Sequence, residues 1–232
     1  MFILRLYYVL RATIIFFLLV ISFKTVKAEK ITVDSEGNIF LLGSVQEFIT
    51  FSDSTTIVAN YFPWDNPKTY LVKLNSSGSV LWFKLFEQDD YYINIKTDNS
   101  NNLIVVAQLV GTIQLDSTTV LSDSFKFLIA KFDTNGNLLW HNLSSNMSNN
   151  YYLSLSVDSL DNIYTTGLFD NDIYFNGTDK LYSFTTNSNT FVAKFDSSGY
   201  NVWLRKIDGN SQWVFDIDTD DSGNSVIVGE FI

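Results

Sequence analysis

Short apolar runs alternate with short polar turns along nearly the whole chain. Ile31-Thr-Val33 and Ile39-Phe-Leu-Leu-Gly43 flank the turn Asp34-Ser-Glu-Gly-Asn38. The same design returns at Ile95 to Ala107, Leu155 to Gly167 and Ile217 to Gly229, and the anchoring Asp34, Asp98, Asp158 and Asp220 stand 64, 60 and 62 residues apart. A second unit interleaves with the first: Tyr70 to Trp82 around Asn75-Ser-Ser-Gly78, Phe127 to Trp140 around Asp133-Thr-Asn-Gly136, and Thr190 to Trp203 around Asp196-Ser-Ser-Gly199. Asp and Asn close side-chain turns, and Gly supplies a left-handed residue without steric cost. The flanks, rich in Ile, Val, Leu, Phe and Tyr, suit pleated strands. Each period of about sixty residues therefore predicts two hairpins, or four strands. No segment after residue 28 carries sustained helical periodicity.

The inner runs Leu103-Ile-Val-Val-Ala107 and Phe127-Leu-Ile-Ala130 are apolar on both faces. A four-stranded sheet wedged between two similar sheets buries both, so the pattern predicts an all-β fold of propeller blades, each of four antiparallel strands. The period places blades at about 29–87, 88–147 and 148–208, with a partial blade at 209–232. That is about three and a half blades, whereas closed propellers hold about four to eight. The expectation is a fragment of a longer propeller, with self-assembly of copies to cover the open faces as the rival.

Lys131-Phe-Asp-x-x-Gly-x-x-x-Trp140 followed by Val157-Asp-x-x-x-Asn-Ile-Tyr-x-x-Gly167 resembles the SBBP-type β-propeller repeats of secreted and cell-surface bacterial proteins. The resemblance spans nearly all of residues 29–232. It implies blade architecture and an exported setting, and it brings no catalytic residues. Three positions depart from the pattern: Ala107 stands for the Gly, Asn75 for the turn Asp, and Ser225 for an apolar strand residue.

The N-terminus changes the destination. Arg5 and Arg11 precede the apolar run from Ala12 to Phe23, and Val26-Lys-Ala28 presents small residues at the −3 and −1 positions of a cleavage site. This is the form of a signal peptide at 1–28, cut between Ala28 and Glu29. The alternative is an uncleaved N-terminal membrane anchor, but the uncharged run is shorter than the roughly 20 residues a spanning helix needs. A secreted or extracytoplasmic protein is expected, at the cell surface or in a periplasm, with no membrane contact after signal removal.

Net charge is −10, and −14 without residues 1–28, which hold four basic residues and no acid. That balance argues against nucleic acid as a partner, because phosphate contacts need clustered Lys and Arg. With no cysteine, disulfides, thiolate metal sites and cysteine nucleophiles are excluded.

Candidate chemistry is sparse. His141 is the sole histidine and occupies a strand position that Phe83 and Leu204 fill elsewhere, so it reads as structural. The repeated aspartates read as turn residues, and no spacing sets two of them as a glycosidase pair. Asp218, Asp220 and Ser222, followed by Gly223, match the start of a calcium loop, although its twelfth position is Gly229 and not a glutamate. No other cofactor is implied. Tyr91, Tyr151 and Trp213 each stand seven residues before an anchor Asp and are candidate ligand-binding aromatics, as a sugar platform would use; packing between blades is the plainer role. Trp82, Trp140 and Trp203 form a second aromatic set with the same plain role. Asn75, Asn142, Asn146 and Asn176 begin glycosylation sequons. The functional expectation is a non-catalytic binding or scaffold module for a protein or carbohydrate ligand. Its alternatives are part of a propeller enzyme acting on carbohydrate, and a calcium-stabilised surface adhesin.

Overall fold

The computed structural model describes residues 26–59, 67–86, 93–145, 153–170, 172–177, 179–182, 189–207 and 212–231. These residues contain strands and turns and no helix. The basic start and apolar run of the expected signal peptide lie outside them.

The first blade holds β1 (Val26–Val33), β2 (Ile39–Val45), the small hairpin β3 (Phe48–Thr50) and β4 (Thr56–Val58), then β5 (Lys68–Leu74) and β6 (Val80–Phe86). Its sheet runs β1-β2-β5-β6, all antiparallel. The second is β7 (Ile93–Thr97), β8 (Leu103–Gln114), β9 (Val120–Phe132) and β10 (Leu138–Leu143), in sequential order. The third holds β11 (Ser154–Val157), β12 (Ile163–Phe169), the small pair β13 (Ile173–Tyr174) and β14 (Lys180–Leu181), then β15 (Asn189–Phe195) and β16 (Asn201–Ile207). Its sheet is β11-β12-β15-β16. A two-stranded half-blade of β17 (Gln212–Thr219) and β18 (Ser225–Phe231) follows. The first strands stand side by side, β1 against β7, β7 against β11, and β11 against β17.

The blades stack as the two-sided apolar runs require. The forward face of the first blade (Phe40, Leu42, Leu71) meets the back of the second (Ile95, Leu103, Val105, Ala130, Phe132). The second does the same with Ile104, Val106, Phe127 and Ile129 against Leu155, Ile163, Phe191, Ala193 and Phe195 of the third. Ring edges meet ring faces there, as Phe127 and Phe191 do at 5.4 Å, the geometry their quadrupoles favour.

The two ends of the stack differ from its middle. Ile31 is 62% exposed, whereas Ile95, Leu155 and Ile217 at the same repeat position are buried. Val226 and Val228 are 68% and 57% exposed, whereas Phe40, Ile104 and Tyr164, and likewise Leu42, are at most 1%. The outer back face of the first blade is covered differently: Ile49, Phe51, Ile57 and Ala59 of the β3–β4 hairpin pack on Tyr70, Val72 and Leu74. These extra hairpins are additions to the four strands read from the sequence. The strand β1 also begins at Val26, so the Ala28–Glu29 bond lies inside it, beside a bulge between Ala28 and Lys30.

Topology sorts the connections. The turns at 34–38, 75–79, 98–102, 133–137, 158–162, 196–200 and 220–224 fall at one end of the blades. The links from blade to blade fall at the other, and those between β2 and β5, β8 and β9, and β12 and β15 leave from it but turn their tips back: Asp53 Oδ2 accepts the Val80 N–H at 2.7 Å, the Leu115 carbonyl accepts from Lys84 Nζ at 3.1 Å, and Asn176 Oδ1 accepts the Asn201 N–H at 3.1 Å.

Candidate functional site

The repeated Asp-x-x-x-Asn motif builds its own turn. Asp34 Oδ1 accepts the N–H groups of Glu36 and Asn38 at 3.1 and 2.8 Å, and Oδ2 accepts Asn38 Nδ2 at 2.9 Å. Asp98 binds Ser100 and Asn102, Asp158 binds Leu160 and Asn162, and Asp220 binds Ser222 and Asn224 in the same way. The fourth turn residue is left-handed. Gly37 and Gly223 fill it in two blades, and Asn101 and Asp161 in the others at φ 63° and 61°, which short polar side chains tolerate.

Neighbouring turns are tied in line. Ser35 donates to Asn101 Oδ1 from its N–H at 2.9 Å and its hydroxyl at 2.8 Å. Asn99 donates from N–H and Nδ2 to Asp161 Oδ1, both at 2.8 Å, and Ser159 Oγ donates to the Asp221 carbonyl at 2.9 Å.

The repeated Lys and Trp of the second unit form a latch between blades in the first two blades. At one register, Phe40, Lys73 and Trp82 lie in a row across the first sheet, Ile104, Lys131 and Trp140 across the second, and Tyr164, Lys194 and Trp203 across the third. Lys73 Nζ meets Asp34 Oδ2 at 3.3 Å and donates to the Thr134 carbonyl of the next blade at 3.2 Å, and Trp82 Nε1 donates to that same carbonyl at 3.0 Å. The second blade repeats this on Ser197, with Lys131 to Asp98 at 2.7 Å, Lys131 to the Ser197 carbonyl at 3.3 Å and Trp140 Nε1 to it at 3.1 Å. Asp34, Asp98, Lys73 and Lys131 are all buried. In the third blade, Tyr164 Oη donates to Asp158 Oδ2 at 3.1 Å, and Lys194 Nζ lies over the Tyr164 ring at 4.9 Å.

These bonds set the acid response. For Asp34 and Asp158 burial opposes the charge, yet the amide and N–H of Asn38 or Asn162, with the other donors, outweigh it and hold both carboxyls below the ordinary value of 3.8. Asn224 moves Asp220 the same way, and N–H groups of Thr118 and Thr119 hold Asp116 at about 2. A folded pKa below the unfolded one gives stability that is complete above the unfolded value and is lost as pH falls through the folded one. The melting temperature should therefore stay flat from about pH 7 to about pH 5 and fall from about pH 4 toward pH 2. Scanning calorimetry across that range checks this, and a loss beginning near pH 6 would contradict it.

The residues singled out from sequence are placed as follows. Asp218 and Asp220 flank the last residue of β17; Asp218 Oδ1 accepts Ser156 Oγ at 3.0 Å and lies 4.0 Å from Lys96 Nζ, while Asp220 serves the turn. Ser222 donates its N–H to Asp220. No group of three or more His, Asp or Glu side chains that could hold a metal occurs among the described residues. Tyr91 and Tyr151 lie outside the described residues, and Trp213 pairs with Glu230 in the β17–β18 ladder. His141 pairs with Ala130 on β10 and is half-buried. Among the described residues no helix is long and apolar enough to cross a membrane. The sequence reading gave the Trp set its packing role but missed the Lys–Asp ion pair; the Lys nine residues before the Trp of each second unit was its signal.

Set beside known proteins, the chain is 25% identical over 210 residues to an uncharacterized WD repeat-containing protein of Acanthamoeba polyphaga mimivirus. The match covers 75% of this chain and 15% of that protein, so the chain spans under a sixth of the curated relative it matches. No family model matches the chain. The four-stranded antiparallel blades, with this likeness, make it a β-propeller-type repeat protein.

Proposed function

We propose that the chain is a non-catalytic, extracytoplasmic binding module that engages a protein through the connections at the end opposite its tight turns. One observation carries this reading. The anchor carboxylates that recur along the sequence are spent on the fold, closing turns and, in the first two blades, pairing with a buried lysine. The varied connections between strands are left as the surface on which specificity can differ without disturbing the ladder. The likeness to a WD repeat-containing protein supports a protein partner, and the resemblance to SBBP-type repeats and the pattern of residues 1–28 support export.

The test uses the chain expressed through a secretory host. The mature product should begin at Glu29 by intact mass, and an unprocessed chain held in the membrane would overturn export. With a photo-crosslinking residue at exposed Asp170, just past β12 at that end, adducts with protein should form in the native extracellular fluid. The same residue at exposed Ser198, in a tight turn, should give none. Adducts at Ser198 alone would overturn the assignment of the binding end.

A further inference from the structure

Asn75 is one of the three departures from the repeat pattern, and the turn it opens differs from its counterparts. The turns 133–137 and 196–200 open on an aspartate. Asp133 uses both oxygens: Oδ1 accepts the N–H groups of Asn135 and Asn137 at 2.8 Å each, and Oδ2 accepts Asn137 Nδ2 at 2.9 Å. Asn75 keeps only the first part of this. Its Oδ1 accepts the N–H groups of Ser77 and Ser79 at 3.0 and 2.9 Å. Residue 79 is a serine with no amide to hold, and Asn75 Nδ2 has no partner among the described residues. Asn75-Ser-Ser77 is also a glycosylation sequon. Ser77 is exposed, and its hydroxyl has no partner there either.

Two other sequons are taken up by packing. Asn142 Nδ2 donates to the Gly199 carbonyl of the third blade, and Ser144 is buried with its hydroxyl accepting the Phe127 N–H at 2.9 Å. Asn176 Nδ2 donates to the same Gly199 carbonyl at 3.3 Å, and its Oδ1 accepts the Asn201 N–H at 3.1 Å. A Cβ on the adjoining Gly177 would stand 2.5 Å from the Asn201 carbonyl oxygen. A sugar on either nitrogen would have to enter these contacts. Asn146 lies outside the described residues.

Blade stacking leaves Asn75 open. A turn of this kind meets the blade before it through its glycine and the carbonyl of its second residue, as Gly136 and Thr134 meet Trp82 and Lys73. Asp133 and Asp196, which open the two seated turns, remain partly exposed. A blade packed before the first would therefore meet Gly78 and the Ser76 carbonyl and leave the Asn75 side chain at the surface.

We propose that Asn75 is the acceptor of an N-linked glycan, a modification that rests on the exported setting proposed above. In the transfer, Asn75 Nδ2 attacks the anomeric carbon of an oligosaccharide carried on a lipid pyrophosphate. A carbon–nitrogen bond forms, the carbon–oxygen bond to the pyrophosphate breaks, the lipid pyrophosphate leaves, and the amide gives up one proton. Oδ1 is untouched, so the turn keeps both of its bonds. The glycan then stands at the end of the blades opposite the one assigned to a partner.

The test is cell-free translation of the full chain with endoplasmic-reticulum microsomes. Protease protection reads import, and endoglycosidase H with peptide mass spectrometry locates the sugar that remains on the chain. Imported chain should carry a glycan at Asn75. The fraction that resists protease after detergent lysis should carry none at Asn142 or Asn176. Ser77→Ala should abolish the Asn75 glycan and leave the turn closed, since Ser77 gives the turn only its N–H. Imported chain unmodified at Asn75, a glycan there that persists in Ser77→Ala, or folded chain modified at Asn142 or Asn176 in its place would each overturn the proposal and leave export standing. Chain left outside the microsomes would overturn export, and the proposal with it.

Discussion

Lys131→Met should cost about 3–5 kcal/mol of folding free energy, the range for removing one partner of a buried ion pair. Lys131 and Asp98 are both buried, and their atoms meet at 2.7 Å. Without the ammonium the Asp98 carboxylate stays inside the sheet with only its turn donors, and the Ser197 carbonyl of the next blade loses one of its two donors. The double variant Lys131→Met with Asp98→Asn should recover most of this loss. The amide carries no charge to desolvate, its oxygen can still accept from Ser100 and Asn102, and the Asn102 amide can turn to match it. Urea unfolding followed by tryptophan fluorescence measures all three variants. A double variant as unstable as the sum of its single ones would mean that the charge pair is not the source of the cost. Lys194→Met should cost far less, because that ammonium rests on an aromatic face and not on a buried carboxylate.

The second large effect lies at the blade-to-blade glycines. Gly199 has φ +87°, and a Cβ there would approach Trp140 Cδ2 and Cε3 at 2.7 Å. The indole cannot swing aside without giving up its bond to the Ser197 carbonyl. Left-handed strain of about 1–2 kcal/mol and overpacking of about 1–3 kcal/mol then add, and Gly199→Ala should cost about 3 kcal/mol. Gly78 has nearly the same backbone, φ +83°, but its nearest neighbour would be Ser52 Oγ at 3.7 Å. Gly78→Ala should show the strain alone, about 1 kcal/mol. Gly136, at 3.1 Å from Trp82, should fall between them. Denaturation midpoints of the three variants test this order. Equal losses would mean that the indole contact between blades contributes nothing beyond backbone strain.

The blade count and the tight turns could be read from the sequence because turn chemistry is local. Asp34 and Asn38 are four residues apart and meet directly, so their spacing carries the whole message. The latch could not be read in the same way. Lys131 and Asp98 are 33 residues apart, and Trp140 reaches a carbonyl 57 residues on; only the pairing of β8 with β9, and the stacking of sheets, brings them together. The repeated Lys was visible but had no visible partner. The small hairpin β3–β4 escaped for another reason. Its strands are three residues long, with one inward residue each, Ile49 and Ile57, too short for an alternation to stand out. The start of β1 at Val26 was hidden because Val26 and Ala28 also satisfy the pattern of a cleavage site. Of the candidate aromatics, Trp213 stands in β17, and Tyr91 and Tyr151 lie outside the described residues.

The junctions of the stack are unequal, and this grades its cohesion. The first two bury broad sets of Phe, Ile, Leu and Val from complete sheets. The junction between the third blade and the half-blade buries Tyr164, Val192 and Ile217. In an array whose parts touch only their neighbours, each junction contributes its own free energy. The junction of the third blade with β17 and β18 is then the weakest of the three. Local opening begins where β17 and β18 lift from the third blade, exposing Tyr164 and Val192 while the aromatic seam of Phe127, Phe175 and Phe191 stays closed. Amide protons along β18 would exchange with solvent through this partial opening, and those of β12 and β15 through one that separates whole blades.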